Sequence, residues 1–349
     1  MKYVEAKLYK VLSDDKVKCG TCIRGCILKP GQEGFCGNYM NIDGRLYNIG
    51  YGNISAFESR PIEIKPFFHF YPGSTAMTFS GWGCNFKCRW CQNYHLSMRK
   101  PRNSVGYRIP PKDMIELAIK YRDDGLCASF NEPTIHLEYL IDVFKLSKKH
   151  GLYNTIVSNG SLTVEALELL HDSGLDAMNV DIKGCEYTYR RFLGIPNPYK
   201  ILETARKALE LGIHVESVFL IVTGANDSEE CIKWVIENHI KYLGVDIPLH
   251  INRYYPAYKY DKPPTPIETL LKAYEIALDK GVKYVYIGNI PNTEYMNTKC
   301  PRCSEILIVR DQYRTLKCNL NGSKCPKCGY EINIKGACKP TPLRKLLWW

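Results

Sequence analysis

One short stretch decides the fold of this chain: Gly83-Cys84-Asn85-Phe86-Lys87-Cys88-Arg89-Trp90-Cys91. Its spacing, C-x3-C-x2-C, supplies three thiolates on a single tight loop. A four-iron cluster held by three protein ligands keeps one iron open, and a small molecule can chelate that iron. The alternative is a closed zinc site that borrows a fourth ligand, such as His95. A zinc knuckle has no need to follow a barrel strand, whereas this loop directly follows a predicted strand.

The cysteine stretch opens a region, about residues 76 to 290, in which apolar β-branched runs alternate with amphipathic segments. Strands are predicted at 76–79, 127–130, 153–158, 178–182, 215–222, 249–251 and 284–287. Helices are predicted between most of them, including those at 113–122, 165–171, 201–211 and 267–278. This alternation predicts a parallel sheet, in either a full or partial (β/α) barrel or a doubly wound open sheet.

Polar residues distinguish between these two architectures. They stand where the predicted strands end: Cys84, Glu132, Asn159, Asp181, Lys183, Asn226 and Asn252. In a (β/α) barrel the chemistry gathers at the C-terminal ends of the strands, on one face. The pattern therefore favours an α/β fold built on a full or partial (β/α) barrel with one shared active face.

Two further groups of cysteines flank the predicted barrel. The N-terminal group has the spacing C-x2-C-x3-C-x9-C and comprises Cys19, Cys22, Cys26 and Cys36. Four soft ligands this close together bind either zinc or an iron–sulfur cluster. The C-terminal group forms a zinc-ribbon pattern, with rubredoxin-like iron as the alternative, from Cys300, Cys303, Cys325 and Cys328. We predict a Cys-rich N-terminal region at 1–72, the barrel at 73–292, and a zinc-ribbon-like module with a tail at 293–349.

The cysteine content indicates metal ligation rather than disulfides. The chain has 16 cysteines in 349 residues, and eleven of them fall in the three groups. The N-terminal segment lacks the apolar core of a secretion signal, and no apolar run approaches the roughly 18 residues that span a bilayer. We expect a cytoplasmic protein, in which disulfides are rare. Spare thiols are expected at the remaining positions, Cys127, Cys185, Cys231, Cys318 and Cys338.

The cysteine stretch resembles the motif of the radical S-adenosylmethionine (SAM) superfamily, in which an aromatic residue also precedes the last cysteine. Trp90 fills that place, and the resemblance implies that it lies against the SAM adenine. The resemblance also implies a radical SAM barrel with a [4Fe–4S] cluster on Cys84, Cys88 and Cys91, whose open iron is chelated by SAM. One electron from the reduced cluster would then break SAM into methionine and a 5′-deoxyadenosyl radical, which abstracts hydrogen from a substrate.

Shorter matches resemble the pyruvate formate-lyase activating enzymes within that superfamily. Phe130-Asn131-Glu132-Pro133 stands where that group has Gly-Gly-Glu-Pro, with two bulkier residues in place of two glycines. Ser158-Asn159-Gly160 resembles its Thr-Asn-Gly, Asp181-Ile182-Lys183 its Asp-Leu-Lys, and Pro248-Leu249-His250 its Leu-Pro-x-His. The resemblance implies contacts from Glu132 to the SAM ammonium, from Lys183 to its carboxylate and from His250 to its ribose. The implied SAM-binding set is Trp90, Glu132, Ser158, Asn159, Asp181, Lys183 and His250.

Longer stretches resemble the radical SAM component of the AmmeMemoRadiSam system. They are Gly34-Phe35-Cys36-Gly37, the segment 65–74, Cys91-Gln92-Asn93, Asn131-Glu132-Pro133-Thr134 and Tyr286-Ile287-Gly288-Asn289. Members of that family accompany two other proteins, so the resemblance implies two protein partners. It does not supply a substrate.

The net charge of +11 indicates an acidic partner. An acidic electron donor, such as a ferredoxin or flavodoxin, is one such partner. The alternative function is a metal-stabilised RNA-binding or RNA-modifying protein. Nucleic acid is not favoured as a partner, because the chain has no long polybasic tract.

Overall fold

A mostly parallel central sheet with helices between its strands makes this chain an α/β protein, as its sequence predicts. The computed structural model describes residues 3–342, so the tail predicted at the end of 293–349 lies, from residue 343 onward, outside the described residues. The chain divides into two compact units, residues 1–59 with 77–178 and residues 60–76 with 179–349. The three regions predicted from the sequence, 1–72, 73–292 and 293–349, have bounds that differ from those of these two units. The division into three regions stays a prediction.

The first unit contains the N-terminal cysteines and the cysteine loop. Its strands are β1 (Val4–Glu5), β2 (Tyr9–Val11), β3 (Val17–Cys19), β4 (Ile27–Leu28), β5 (Tyr39–Ile42), β6 (Arg45–Asn48), β7 (Asn53–Pro61), β8 (Thr75–Gly81), β9 (Tyr107–Arg108), β10 (Gly125–Ala128) and β11 (Tyr153–Ser158). Its helices are α1 (Tyr94–Ser97), α2 (Pro111–Lys120), α3 (Leu137–Lys149) and α4 (Val164–Asp172). The strands predicted at 76–79 and 153–158 and the helices predicted at 113–122 and 165–171 are confirmed.

Within this unit the sheet strands run in the order β11-β10-β8-β7-β9. β10 and β11 are parallel, with Gly125 opposite Tyr153, and the short β9 pairs antiparallel with β7. β8 is buried along its whole length, as expected for a strand covered on both faces. α4 begins where the Thr163 hydroxyl accepts a hydrogen bond from the Ala166 amide over 3.2 Å, a typical N-cap.

The N-terminal strands form two small antiparallel sheets, β1-β6-β5 and β2-β3-β4. They are fastened to α3 by Glu138, whose buried carboxylate accepts from the Lys7 amide over 2.9 Å, the Tyr39 hydroxyl over 2.9 Å and the Asn48 amide group over 2.8 Å. Because a buried carboxylate is costly unless its oxygens are hydrogen-bonded, these contacts fix the N-terminal strands in place.

The second unit continues the strand–helix alternation. Its strands are β12 (Ala177–Asp181), β13 (His214–Ile221), β14 (Leu249–Arg253), β15 (Val285–Gly288), β16 (Thr298–Lys299), β17 (Ile306–Asp311) and β18 (Arg314–Cys318). Its helices are α5 (Glu186–Thr188), α6 (Tyr199–Glu210), α7 (Glu229–Leu243) and α8 (Ile267–Asp279). The strands run in the order β15-β14-β13-β12, and both β13–β14 and β14–β15 are parallel.

The C-terminal module is a three-stranded antiparallel sheet, β16-β17-β18. Arg310 of β17 is fully buried, donates to the carbonyls of Met296 and Phe68 over 3.0 and 2.7 Å, and covers the Phe68 ring at 4.2 Å. The module therefore packs on the segment that precedes β8 through a guanidinium whose hydrogen bonds go mainly to backbone oxygens.

The prediction of spare thiols is wrong for Cys318 and Cys338, which form a disulfide. The last described residues run back beside β18, where the Thr341 amide donates to the Thr315 carbonyl over 2.8 Å. This return brings the two Cα atoms to 6.0 Å, a separation that a disulfide spans without strain.

Candidate active site and metal-binding sites

The cysteine loop connects β8 to α1. Cys84 and Cys91 are half-buried and Cys88 is buried. The Phe86 amide donates to the Cys84 sulfur over 3.4 Å, and the Gly83 amide donates to a carbonyl of α1 over 3.1 Å. These bonds tie the start of the loop both to itself and to the helix that follows it.

Two asparagines hold the loop after β10 near the cysteine loop. The Asn131 side chain donates to the carbonyls of Gly81 and Gly83 over 2.9 and 2.7 Å. The Asn93 side chain donates to the Phe130 carbonyl over 2.7 Å, and Phe130 has a φ of +66°. A bulky residue rarely adopts this left-handed conformation. Phe130 thus adopts a backbone conformation that usually requires glycine, and the hydrogen bond from the Asn93 side chain stabilises it.

Glu132 is buried in a network of hydrogen bonds. Its Oε1 accepts from the Thr134 amide and hydroxyl over 3.0 and 2.5 Å, and from the Ser158 hydroxyl over 2.8 Å. Its Oε2 accepts from the Asn159 amide over 2.7 Å. Burial raises the pKa of Glu132, and these hydrogen bonds oppose the rise. Because a carboxylate offers about four acceptor positions, Oε2 retains capacity for a further donor.

Asn159 connects this carboxylate to the cysteine loop. Its side chain donates over 2.9 Å to Oδ1 of Asn85, the neighbour of Cys84. Asn85 donates to the Ser161 hydroxyl over 2.6 Å, and that hydroxyl donates to Oδ1 of Asn159 over 2.5 Å. Three side chains therefore form a closed ring of hydrogen bonds. Asn85 and Ser161 were not predicted as site residues from the sequence. The one signal for them was their position in the sequence, since Asn85 lies within the cysteine motif and Ser161 follows Ser158-Asn159-Gly160.

The electrostatics of the loop favour a bound cation. Burial raises the pKa of Cys84 to about 12, and the nearby Glu132 carboxylate and Cys88 thiol add to the rise. An isolated thiolate is therefore costly here, whereas coordination to a metal stabilises the deprotonated sulfur. Trp90, two residues beyond Cys88, is buried with 2% of its surface exposed.

In the second unit, Asp181 ends β12 and its carboxylate pairs with the ammonium of Lys183. The Asn226 side chain donates to the Lys183 carbonyl over 2.8 Å. The other carboxylate oxygen, Oδ1 of Asp181, is buried and has no hydrogen-bond partner among residues 3–342. A donor on a bound molecule would satisfy this oxygen.

His250 lies in β14 and is also buried. Its Nε2 is 2.7 Å from a carboxylate oxygen of Glu216, and its ring stacks on Tyr286 at 5.2 Å. The His214 ring contacts the other Glu216 oxygen at 3.0 Å. Although burial opposes it, the two histidines hold the pKa of Glu216 well below its ordinary value. Because Nε2 of His250 faces Glu216, the predicted contact to the SAM ribose would come from Nδ1. That contact stays a prediction.

The N-terminal cysteines of the first unit surround a cavity. Cys19 and Cys36 are buried, while Cys22 and Cys26 are half-buried. All four line the same space, together with Thr21, Arg24, Gly34, Phe35, Tyr39, Asn85 and Ile135. Burial raises the pKa of Cys19 to about 12, so this site too disfavours an unpaired thiolate. The structure therefore brings the predicted N-terminal group together around one cavity.

The C-terminal cysteines are packed much more closely, with all four sulfurs within 4.8 Å of one another. The Cys300 and Cys328 sulfurs are 3.6 Å apart, and the Cys303 and Cys325 sulfurs are 3.7 Å apart. A zinc ion bound to four thiolates at about 2.3 Å separates neighbouring sulfurs by about 3.8 Å. The spacing fits one tetrahedral ion, and among residues 3–342 no other His, Cys, Asp or Glu group has single-ion spacing.

Matching backbone turns position these four sulfurs. The Ser304 amide donates to the Cys300 carbonyl, and the Gly329 amide donates to the Cys325 carbonyl, both over 2.9 Å. Ser304 and Gly329 have φ values of +58° and +69°. Each pair of cysteines therefore stands on the same kind of tight turn, which is typical of a zinc knuckle.

Comparison with known proteins assigns the family. The family model described as the radical SAM superfamily matches residues 80–238, a span that contains the cysteine loop and Glu132. The chain belongs to the radical SAM superfamily. The uncharacterized protein MJ0808 of Methanocaldococcus jannaschii is 40% identical over 334 residues, which cover 95% of this chain and 99% of that protein.

Other relatives of this radical SAM chain carry functional names. A provisionally named glycyl-radical enzyme activating enzyme, MJ1632 of Methanocaldococcus jannaschii, is 27% identical over 228 residues, 62% of this chain and 80% of that protein. The pyruvate formate-lyase-activating enzyme of Streptococcus mutans is 24% identical over 159 residues, 42% of this chain and 59% of that enzyme. The predicted radical SAM α/β fold is confirmed, and so is the similarity to activating enzymes.

Membership of the superfamily implies a [4Fe–4S] cluster and SAM. The residues present fit these groups, because three free thiols lie on one loop and Glu132 retains an acceptor position. Every helix among the described residues is too short or too polar to cross a lipid bilayer.

Proposed function

We propose that this chain binds a [4Fe–4S] cluster through Cys84, Cys88 and Cys91 and cleaves SAM reductively. When bound, the cluster and SAM supply a 5′-deoxyadenosyl radical that abstracts hydrogen from a substrate. The observation that carries the proposal is the hydrogen-bonded path from the cysteine loop to a buried carboxylate, through Asn85, Asn159 and Glu132. A structural metal knuckle has no need for such a carboxylate.

Within the first unit, the chain's own residues have separate roles in SAM binding. Glu132 accepts a hydrogen bond from the SAM ammonium at Oε2, where one protein donor is already present. Ser158 and Asn159 orient that carboxylate through their hydrogen bonds to its two oxygens. Trp90 offers an aromatic surface to the adenine. In the second unit, Asp181, Lys183 and His250 are proposed as further SAM contacts.

The subfamily and the partners belong to the same proposal. The resemblance at Gly34 to Gly37 and in the segment 65–74 supports the AmmeMemoRadiSam radical SAM enzymes, and with them two partner proteins. The activating-enzyme relatives support hydrogen abstraction from a protein substrate, such as the glycine of a glycyl-radical enzyme. A reduced ferredoxin or flavodoxin would supply the electron, and the cytoplasm is the proposed location.

Metal binding outside the radical SAM loop completes the proposal. The C-terminal cysteines hold one zinc ion, which stabilises a module with a small core of its own. The 3.6 and 3.7 Å sulfur separations support this site, and rubredoxin-like iron would occupy the same tetrahedron. The N-terminal cysteines hold a second metal centre, consistent with the cavity that they share.

The test is anaerobic SAM cleavage by the full chain. The protein is reconstituted with iron and sulfide, reduced with dithionite and mixed with SAM, and 5′-deoxyadenosine is measured by mass spectrometry. We expect the product from the wild type and from Cys127→Ala, a change at a buried cysteine of β10 outside all three groups. We expect none from Cys88→Ala. Absence of the product in the wild type, with the cluster intact and reduced, would refute the proposed function.

A further inference from the structure

The two cysteine sites of the first unit share a side chain. Asn85 follows Cys84 in the cysteine loop and also lines the cavity of the N-terminal cysteines. Cys22 lines the same cavity. Oδ1 of Asn85 lies 4.0 Å from the Cys84 sulfur. One side chain therefore borders both sites.

The backbones of the two sites also meet. Arg24, which belongs to the N-terminal cysteine loop, donates from its Nε to the Asn85 carbonyl. A Cβ atom on Gly83 would lie 2.3 Å from the Cys36 carbonyl oxygen. The chain on each side of Cys84 thus runs directly against the N-terminal site.

Hydrogen bonds to the loop after β11 fix this arrangement. Cys22 forms an antiparallel bridge with Leu162, and the Ile23 amide donates to the Ser161 carbonyl over 2.9 Å. The Thr163 hydroxyl, which caps α4, donates to the Gly20 carbonyl over 2.8 Å. The N-terminal cysteines are therefore seated on the same loop that carries the proposed SAM contacts of β11.

We propose that the N-terminal cysteines hold a second [4Fe–4S] cluster, which passes electrons across Asn85 to the cluster on Cys84, Cys88 and Cys91. This inference rests on the proposed function, because it needs the radical SAM cluster as the acceptor. One electron leaves the N-terminal cluster and reduces the acceptor cluster. A reduced ferredoxin or flavodoxin restores the donor, and no covalent bond or proton changes place.

The composition of the N-terminal site supports electron transfer rather than SAM binding. Four thiolate ligands leave no iron open for a substrate. Their sulfurs are more widely spaced than those of the C-terminal group, which among residues 3–342 is the one set with all sulfurs within 4.8 Å, and wider spacing suits a cluster better than a single ion. Solvent exposure tunes the potential of such a cluster, and Cys22 and Cys26 of this site are half-buried.

The outer surface of this site is suited to an acidic redox protein. Phe35 is 44% exposed at the edge of the cavity. The Arg24 guanidinium lies 3.9 Å from the centre of the Phe35 ring, and the Lys87 ammonium lies 5.5 Å from it. An exposed aromatic ring with two cations close to it offers both apolar contact and electrostatic attraction to an acidic partner.

The first test uses the wild-type full chain. After anaerobic reconstitution, two clusters give about eight iron atoms per chain. Electron paramagnetic resonance of the reduced protein should show a signal broadened by spin coupling between two neighbouring clusters. About four iron atoms with two zinc ions per chain, or two clusters without spin coupling, would overturn the inference.

The second test separates the relay from SAM cleavage. In the double variant Cys22→Ser, Cys26→Ser we expect the spin coupling to vanish, while the remaining signal still changes on addition of SAM. SAM cleavage should persist with dithionite, a small reductant that reaches the remaining cluster directly, and be lost with reduced flavodoxin. Cys127→Ala is the matched control and should retain both activities. An undiminished rate with flavodoxin in the double variant would overturn the relay.

Two further measurements keep the outcomes distinct. Asn85→Leu retains every cysteine and replaces a polar amide in the cavity wall with an apolar group, so we expect a negative shift in the midpoint potential of the N-terminal cluster. An unchanged potential would show that Asn85 does not border the N-terminal cluster. Failure of wild-type SAM cleavage with both reductants would refute the proposed function itself, not the relay alone.

Discussion

Replacing Gly83 with alanine should destabilise the protein by about 2–5 kcal/mol, from two separate costs. Gly83 has a φ of +87°, and this left-handed conformation costs an alanine roughly 1–2 kcal/mol. A Cβ would also lie 2.3 Å from the Cys36 carbonyl oxygen and 2.9 Å from the Asn38 side chain. Forcing an atom into filled space costs typically about 1–3 kcal/mol, and the sum of the two ranges gives the expected loss.

Gly212→Ala is the matched control for this experiment. Gly212 has a φ of +80°, and a Cβ at this position would meet no atom of residues 3–342 within 4 Å. Its replacement therefore carries the conformational cost alone, roughly 1–2 kcal/mol. Both variants are compared with the wild type by anaerobic thermal unfolding, which follows the intrinsic tryptophan fluorescence. The shift in Tm should be clearly larger for Gly83→Ala.

Equal shifts in Tm for the two variants would refute the reasoning, because they would show that the Cys36 backbone yields without cost. Metal analysis adds a second readout. Since Gly83 lies where the backbones of two cysteine groups meet, iron loading should fall at both groups in Gly83→Ala and at neither in Gly212→Ala.

Three further outcomes are expected. Cys303→Ser should lose the C-terminal metal and keep the iron of the other sites, as measured by elemental analysis; an unchanged zinc content would contradict the tetrahedral site. The hydrogen bond from the Cys231 thiol lowers the pKa of Cys185 to about 5. Alkylation of Cys185 should therefore fall only as the pH approaches 5, and Cys231→Ala should raise that midpoint; peptide mass spectrometry measures both. Finally, reduction by flavodoxin should slow as the salt concentration rises, because the chain carries a net charge of +11. A reduction rate that does not change across the salt series would count against an acidic donor.

The alternation of strands and helices could be predicted because it depends on local periodicity. β11 and α8 match or nearly match the expected bounds, since β11 is a short run rich in β-branched residues and the apolar residues of α8 recur at intervals of three to four. The Cys318–Cys338 disulfide could not be predicted in this way. It depends on the chain returning beside β18, and that return is a tertiary contact without a periodic signal.

The candidate site also contains some residues that the sequence predicts and others that it does not. Cys84 and Glu132 stand out in a sequence because thiolates and carboxylates at strand ends carry chemistry. Asn85 and Ser161 do not, because asparagine and serine are common in turns for ordinary conformational reasons. Their importance lies in the contacts that they make: Asn85 meets Asn159 across 74 residues of sequence. Only the folded chain shows which neutral polar side chains join the charged ones.

The contacts of the first unit show that its N-terminal region packs against the loop after β11 rather than standing apart as a separate module. Cys22 is bridged to Leu162, four residues after Ser158, and Asn85 lines the cavity of Cys22 while accepting a hydrogen bond from Asn159. A metal that holds Cys22 in place therefore also restrains the loop that orients the Glu132 carboxylate. Loss of the N-terminal metal should nevertheless leave SAM cleavage with dithionite in place, because the hydrogen bonds from Ser158 and Asn159 to Glu132 do not depend on that metal.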